Sequence, residues 1–143
     1  MFKKILVPLD GSKIAEKAIP FVISEAQKHN AKIIVIRVIP PLRASVMSIP
    51  SVVEKVDQEV EVIVKDYLEE IENSLRTQGL DVESAIEKGK PAECILQYAK
   101  RTGCDLIVIG TYGYTRAIKW RTGSVANNIL RARMDIPVLI IPT

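Results

Sequence analysis

Short apolar runs rich in β-branched residues alternate along this chain with stretches whose apolar residues recur at helical spacing, and few folds accept that alternation. Lys4-Ile5-Leu6-Val7-Pro8-Leu9 is the first such run. It closes on Asp10-Gly11-Ser12, as a buried strand ending in a turn does. Beyond Ser12, placed to cap a helix, apolar residues fall at Ala15, Ala18, Ile19, Val22, Ile23 and Ala26. Pro20 predicts a bend in that helix, because it brings no N–H to the interior ladder. Ile33-Ile34-Val35-Ile36, within Lys32 to Val38, is a second buried strand. Pro40, Pro41 and Pro50 predict a loop from Ile39 to Ser51.

Val53, Val56, Val60, Ile63, Val64, Tyr67, Ile71 and Leu75 mark a long amphipathic helix, with Glu54, Asp57, Glu61, Lys65 and Glu72 on its other face. Gly79 stops it. Val82 to Glu87 alternates weakly, so a third strand is expected that is shorter or nearer an edge. Pro91 opens a helix through Ile95, Leu96 and Ala99 that ends near Gly103. Asp105 to Ile109 is a fourth strand, Ser124 opens a final helix through Leu130, and Pro137 to Ile141 is a fifth strand. Strict alternation of strands and helices implies an α/β protein: an open five-stranded parallel sheet with helices on both faces and right-handed crossovers. At 143 residues the chain reads as a single domain, 1–143.

Ligands of such sheets bind beyond the carboxyl ends of the strands, where the strand order reverses. Two of those ends carry unusual residues, Asp10-Gly11-Ser12 after the first strand and Gly110-Thr111-Tyr112-Gly113 after the fourth. The second opens a segment of pattern G-x2-G-x9-G-S, from Gly110 through Gly113 to Gly123 and Ser124. Gly110 and Gly113 lack a Cβ, so they permit positive φ and close approach of a phosphate to the backbone. Gly123 and Ser124 stand where the last helix begins. Free N–H groups, the hydroxyl and the positive end of the helix dipole there suit an anion.

These residues resemble the universal stress protein family, in particular its ATP-binding branch. The resemblance covers the whole chain: the opening I-L-V-P-L-D-G-S, D-L-I-V-I-G before the glycine segment, G-S-V-A-N-N-I-L after it and the ending I-P-V-L-I-I. It implies a Rossmann-like sheet in the order 3-2-1-4-5 and pairing into a homodimer. It also implies residue roles: Pro8, Leu9 and Asp10 near the ribose and adenine, Val38 offering main-chain contacts to adenine, Gly110, Thr111 and Gly113 lining the ribose and phosphates. Gly123, Ser124 and Val125 hold the phosphates, and Asp10 assists a Mg²⁺ ion held mainly by them. Tyr112, Tyr114 and Trp120-Arg121-Thr122 depart from the family's usual residues, which bears on base and phosphate selectivity. Arg116, Lys119 and Arg121 are read as solvated loop charges.

Composition narrows the function further. The chain carries one histidine, His29, and two cysteines, Cys94 and Cys104, so neither a Ser/His/Asp triad nor a histidine-based metal cage is expected. Both cysteines are expected as small core residues. A net charge of +3, spread along the chain, gives no nucleic-acid footprint. With no apolar run long enough to span a bilayer and a start that runs straight into a strand, a cytoplasmic protein is expected. Neither G-x4-G-K-[ST] nor G-x-G-x-x-G is present, which speaks against a P-loop motor or a dinucleotide enzyme. The expected function is binding of ATP, AMP or ADP without an enzymatic role. A dimeric interaction protein of the same fold and a slow ATPase are the alternatives. Pro137 at its start makes the last strand an expected edge, covered by Val138, Leu139, Ile140 and Ile141 of a second copy.

Overall fold

The computed structural model describes residues 1–41, 49–111, 124–132 and 134–142. In chain order the elements are β1 (Lys4–Pro8), α1 (Lys13–Glu16), α2 (Ile19–His29), β2 (Lys32–Ile39), α3 (Pro50–Arg76), β3 (Val82–Lys88), α4 (Pro91–Thr102), β4 (Leu106–Thr111), α5 (Ser124–Arg131) and β5 (Val138–Pro142). The five strands form one sheet in the order β3-β2-β1-β4-β5, every pair parallel. This is the expected order. The weakly alternating third strand lies at an edge, although its 7 residues make it longer than β1, which has 5.

Period-two alternation along the strands sends side chains into two cores. Ile5, Val7, Ile33, Val35, Leu106 and Val108 meet Ala15 of α1, Val22 and Ala26 of α2 and Val64, Leu68 and Leu75 of α3. On the other face Leu6, Ile34, Ile36, Ile107 and Ile109 meet Ile95, Leu96 and Ala99 of α4 and Ala126 and Ile129 of α5. Strands covered on both sides need apolar residues on both faces, which is why Ile5 to Val7, Ile33 to Ile36 and Leu106 to Ile109 are unbroken apolar runs.

The helix expected from Ser12 to Ala26 divides in two. Lys17 N–H and Ala18 N–H bond back three residues, to Ile14 O at 3.3 Å and Ala15 O at 3.2 Å, which tightens the chain. Pro20, in the first turn of α2, supplies no N–H for the ladder to continue. The loop expected over 39–51 is shorter at both ends, since β2 runs through Ile39 and Pro50 occupies the first turn of α3. Its centre, 42–48, lies outside the described residues.

One expectation about the core needs correction. Cys104 is buried, but Cys94 is only half-buried, on α4 where its thiol faces Lys88 O at 3.6 Å. Both cysteines are free. Among the described residues no helix is long and apolar enough to cross a membrane.

Candidate functional site

The sheet opens between its two middle strands. β1 pairs with β2 along its whole length, from Lys4↔Lys32 to Pro8↔Ile36, whereas its ladder with β4 consists of Ile5↔Leu106 and Leu6↔Ile107. Past those rungs β4 continues with β5 alone, through Ile109↔Ile140 and Gly110↔Ile141. Carboxyl ends that part in this way create the crevice expected at a switch point.

Short-range hydrogen bonds shape its rim. Leu9 N–H donates to Ile36 O at 2.9 Å, extending the β1–β2 ladder to the edge of the crevice. Asp10 Oδ1 then accepts from Ser12 N–H at 2.8 Å, and Ser12 Oγ accepts from Ala15 N–H at 3.2 Å. The first closes an Asx-turn and the second caps α1. Gly11, between them, has φ +85°, a conformation that glycine takes without steric cost.

The resulting cleft has a volume of about 380 Å³, within the size range of small-molecule sites. Pro8, Leu9, Asp10, Val38, Gly110, Thr111, Ser124 and Val125, eight of the ten residues marked in the sequence, all line it. Gly113 and Gly123 lie outside the described residues, as do Tyr112, Tyr114, Arg116, Lys119, Trp120 and Arg121. Ile95 and Ile109 add apolar wall from the other core. Thr111 is almost fully buried.

Gly110 lines the cleft, but not through a positive φ. What approaches its backbone is α1: a Cβ built there would stand 2.5 Å from Ile14 O and 3.2 Å from Ala15 Cα. The missing side chain lets α1 lie against β4, which brings Ile14 and Ala15 to the cleft wall. Close helix–strand packing is thus the physical reason for glycine at this position.

Sequence reasoning missed Arg37. It is the one charged residue between Ile33 and Ile39 in an otherwise apolar strand, and that interruption was the available signal. Arg37 and Asp10 are the two charged residues lining the cleft among those described. Tyr67 of α3 was read only as an apolar position. Its hydroxyl is buried without a hydrogen-bond partner, and burial, helped by the negative charges of Glu16 and Asp10, pushes its pKa up to about 12.

The remaining reactive groups do not belong to this site. His29 stacks edge-on against Phe2, with ring centroids 5.3 Å apart, and its Nδ1 lies 3.1 Å from the Met1 amino group, at the start of β1 and so at the opposite end of the sheet. Burial above all pushes both thiols up, Cys94 further through Glu87 and Glu93, which leaves them poor nucleophiles at neutral pH. Among the described residues no three His, Cys, Asp or Glu side chains gather where they would hold a metal ion. Asp10 is the one carboxylate of the described lining.

Comparison with known proteins agrees with this architecture. The family model described as "Universal stress protein family" matches residues 1–142. Universal stress protein YxiE of Bacillus subtilis is 28% identical, with 99% of each chain covered. Universal stress protein MJ0577 of Methanocaldococcus jannaschii is 29% identical, covering 99% of this chain and 95% of its own. Its solved structure superposes with a TM-score of 0.83 over 100% of this chain and 97% of that one, at 26% identity. A universal stress protein family protein of Arabidopsis thaliana, solved with AMP bound, shares the fold at a TM-score of 0.70 and 21% identity, over 98% of this chain and 91% of that one. A sheet in this order, a crevice between β1 and β4, and a family match across nearly the whole length together make the chain a member of the universal stress protein family.

Proposed function

We propose that the chain binds ATP or a closely related adenine nucleotide in the cleft between β1 and β4, and that occupancy, not turnover, is its function in stress response or signalling. The observation that carries this reading is convergence: eight residues marked from the sequence, drawn from β1 and the turn after it, β2, β4 and α5, line one cleft. AMP bound to an Arabidopsis protein of the same fold supports it.

In this reading Pro8, Leu9 and Asp10 flank the ribose and base, and the Val38 main chain faces adenine. Gly110, Thr111 and Gly113 line the ribose and phosphates. Gly123, Ser124 and Val125 take the phosphates at the start of α5, where the first-turn N–H groups of a helix and its dipole favour negative charge. The lining suits a nucleotide, with apolar walls from Ile36, Ile95 and Ile109 beside a few polar groups. It suits a protein-held metal less well: Asp10 alone would assist a Mg²⁺ ion whose other ligands are phosphate oxygens and water. A binding role is favoured over hydrolysis because the described lining offers one carboxylate and no partner base for it. Differential affinity for two states of the segments 39–51 and 110–124 would convert occupancy into a signal.

Two further parts belong to the proposal. A homodimer forms through β5, an edge of the sheet, with Leu139 exposed and Ile141 already buried in its own core. Free thiols at both cysteines suit a reducing compartment, the cytoplasm.

Freshly purified protein denatured and analysed by mass spectrometry, before and after incubation with ATP, tests the reading. Released ATP is the expected result. Accumulation of ADP or AMP over time would make the chain an ATPase, and no nucleotide even after added ATP would leave an interaction protein with this fold.

A further inference from the structure

Arg37 occupies an unusual place for a cation. It follows Val35 on the sheet face that packs against α1, α2 and α3, where Ile39 is buried two residues later. Its Nε is buried with no hydrogen-bond partner among the described residues, and none of the ion pairs among them includes it. A valine would fill such a position at lower cost. What lies over the guanidinium is the β1–α1 turn: a Cβ built on Gly11 would stand 3.2 Å from Arg37 Nη1. Gly11 is therefore constrained twice, by its φ of +85° and by the cation packed against it. The turn itself carries Asp10, whose Oδ1 accepts from Ser12 N–H, and both Asp10 and Ser12 line the cleft.

We propose that Arg37 is a positioning residue for the cleft: packed under the Cβ-free face of Gly11, its guanidinium holds the Asp10–Gly11–Ser12 turn in the geometry that presents Asp10 and Ser12 to a ligand. The proposal rests on the reading of this cleft as the nucleotide site. A half-buried cation is weakly screened, so its field acts on the turn packed against Nη1 more strongly than that of a solvated charge would. Arg37 also lines the cleft, so a double-mutant cycle is needed to separate an effect that passes through Asp10 and Ser12 from a direct contact with the ligand.

The test uses full-length protein carrying Arg37→Met, Arg37→Lys and Arg37→Gln, the last two retaining donors should the first fail to fold. Hydrogen exchange of the Ser12 amide, followed by NMR without nucleotide, reads the turn directly. Arg37→Met is expected to speed that exchange on the order of tenfold, with Arg37→Lys intermediate. Unchanged Ser12 protection in a folded Arg37→Met or Arg37→Gln protein would overturn the proposal. A second arm measures ATP affinity in a double-mutant cycle with Asp10→Ala. Arg37→Met is expected to weaken binding about tenfold in the parent and little in the Asp10→Ala background. Equal losses in both backgrounds would overturn the positioning role, because Arg37 would then act on the nucleotide itself. If the parent protein binds no ATP, the functional reading fails, and Ser12 exchange still decides what Arg37 does.

Discussion

Gly110 and Ser124 show how differently two residues of one motif are used. A methyl group at Gly110 would meet the Ile14 carbonyl at 2.5 Å, and neither the strand nor the helix backbone can yield cheaply. Gly110→Ala is expected to destabilise the fold by about 1–3 kcal/mol, read as a lower Tm in thermal denaturation with no nucleotide present. Ser124 is exposed at the start of α5. Its change to alanine is expected to spare most of the stability and weaken ATP binding by about 1.5–3 kcal/mol, measured by calorimetry, through loss of a hydrogen bond to a charged group. Tyr67 gives a pH-dependent signature. Its folded pKa of about 12 exceeds the ordinary tyrosine value, so its contribution is complete below about pH 10. It is lost as pH rises towards 12. Tyr67→Phe should therefore melt at or slightly above the parent's temperature at pH 7, since it deletes a hydroxyl with no partner, and should lose less stability than the parent as pH rises from about 10 towards 12.

Among elements, the link between β1 and β4 sets the shape of the crevice. Its ladder is short, and at the far end the Asp105 carboxylate adds a clamp, accepting from Lys3 N–H at 2.8 Å and Lys4 N–H at 3.0 Å. Lys4 Nζ reaches Thr102 O at 2.8 Å beside it. Asp105→Ala removes both acceptors and is expected to lower stability by roughly 1–3 kcal/mol in chemical denaturation. An unchanged midpoint would show that the clamp is replaced by water. The elements themselves were legible in the sequence because each is reported by several residues at once. Ile33 to Ile36 fix β2, and Pro91 and Gly103 bracket α4. Boundaries were less legible, since the break at Lys17–Ala18 depends on which carbonyls are free to accept, and Pro20 alone does not locate it. The cleft lining was legible where glycine, serine and aspartate interrupt apolar strand ends. Arg37 was not, because its significance arises from a turn 26 positions earlier in the chain that only the folded sheet brings over it. At Gly110 the motif reports that a Cβ is excluded but not that α1 is what excludes it.

For the whole molecule, the parallel sheet leaves β3 and β5 as its edges. Pairing through β5 would remove one of them, and light scattering at micromolar concentration is expected to give about twice the 15.9 kDa chain mass. A mass of one chain would contradict the proposed dimer without touching the cleft. The cleft is tested most directly by titrating ATP into isotope-labelled protein and following the backbone amides by NMR. Saturable shifts concentrated on Leu9, Asp10, Val38, Gly110, Thr111, Ser124 and Val125 are expected. Shifts gathered instead on α3 and β3, or no saturable change at all, would contradict nucleotide binding between β1 and β4.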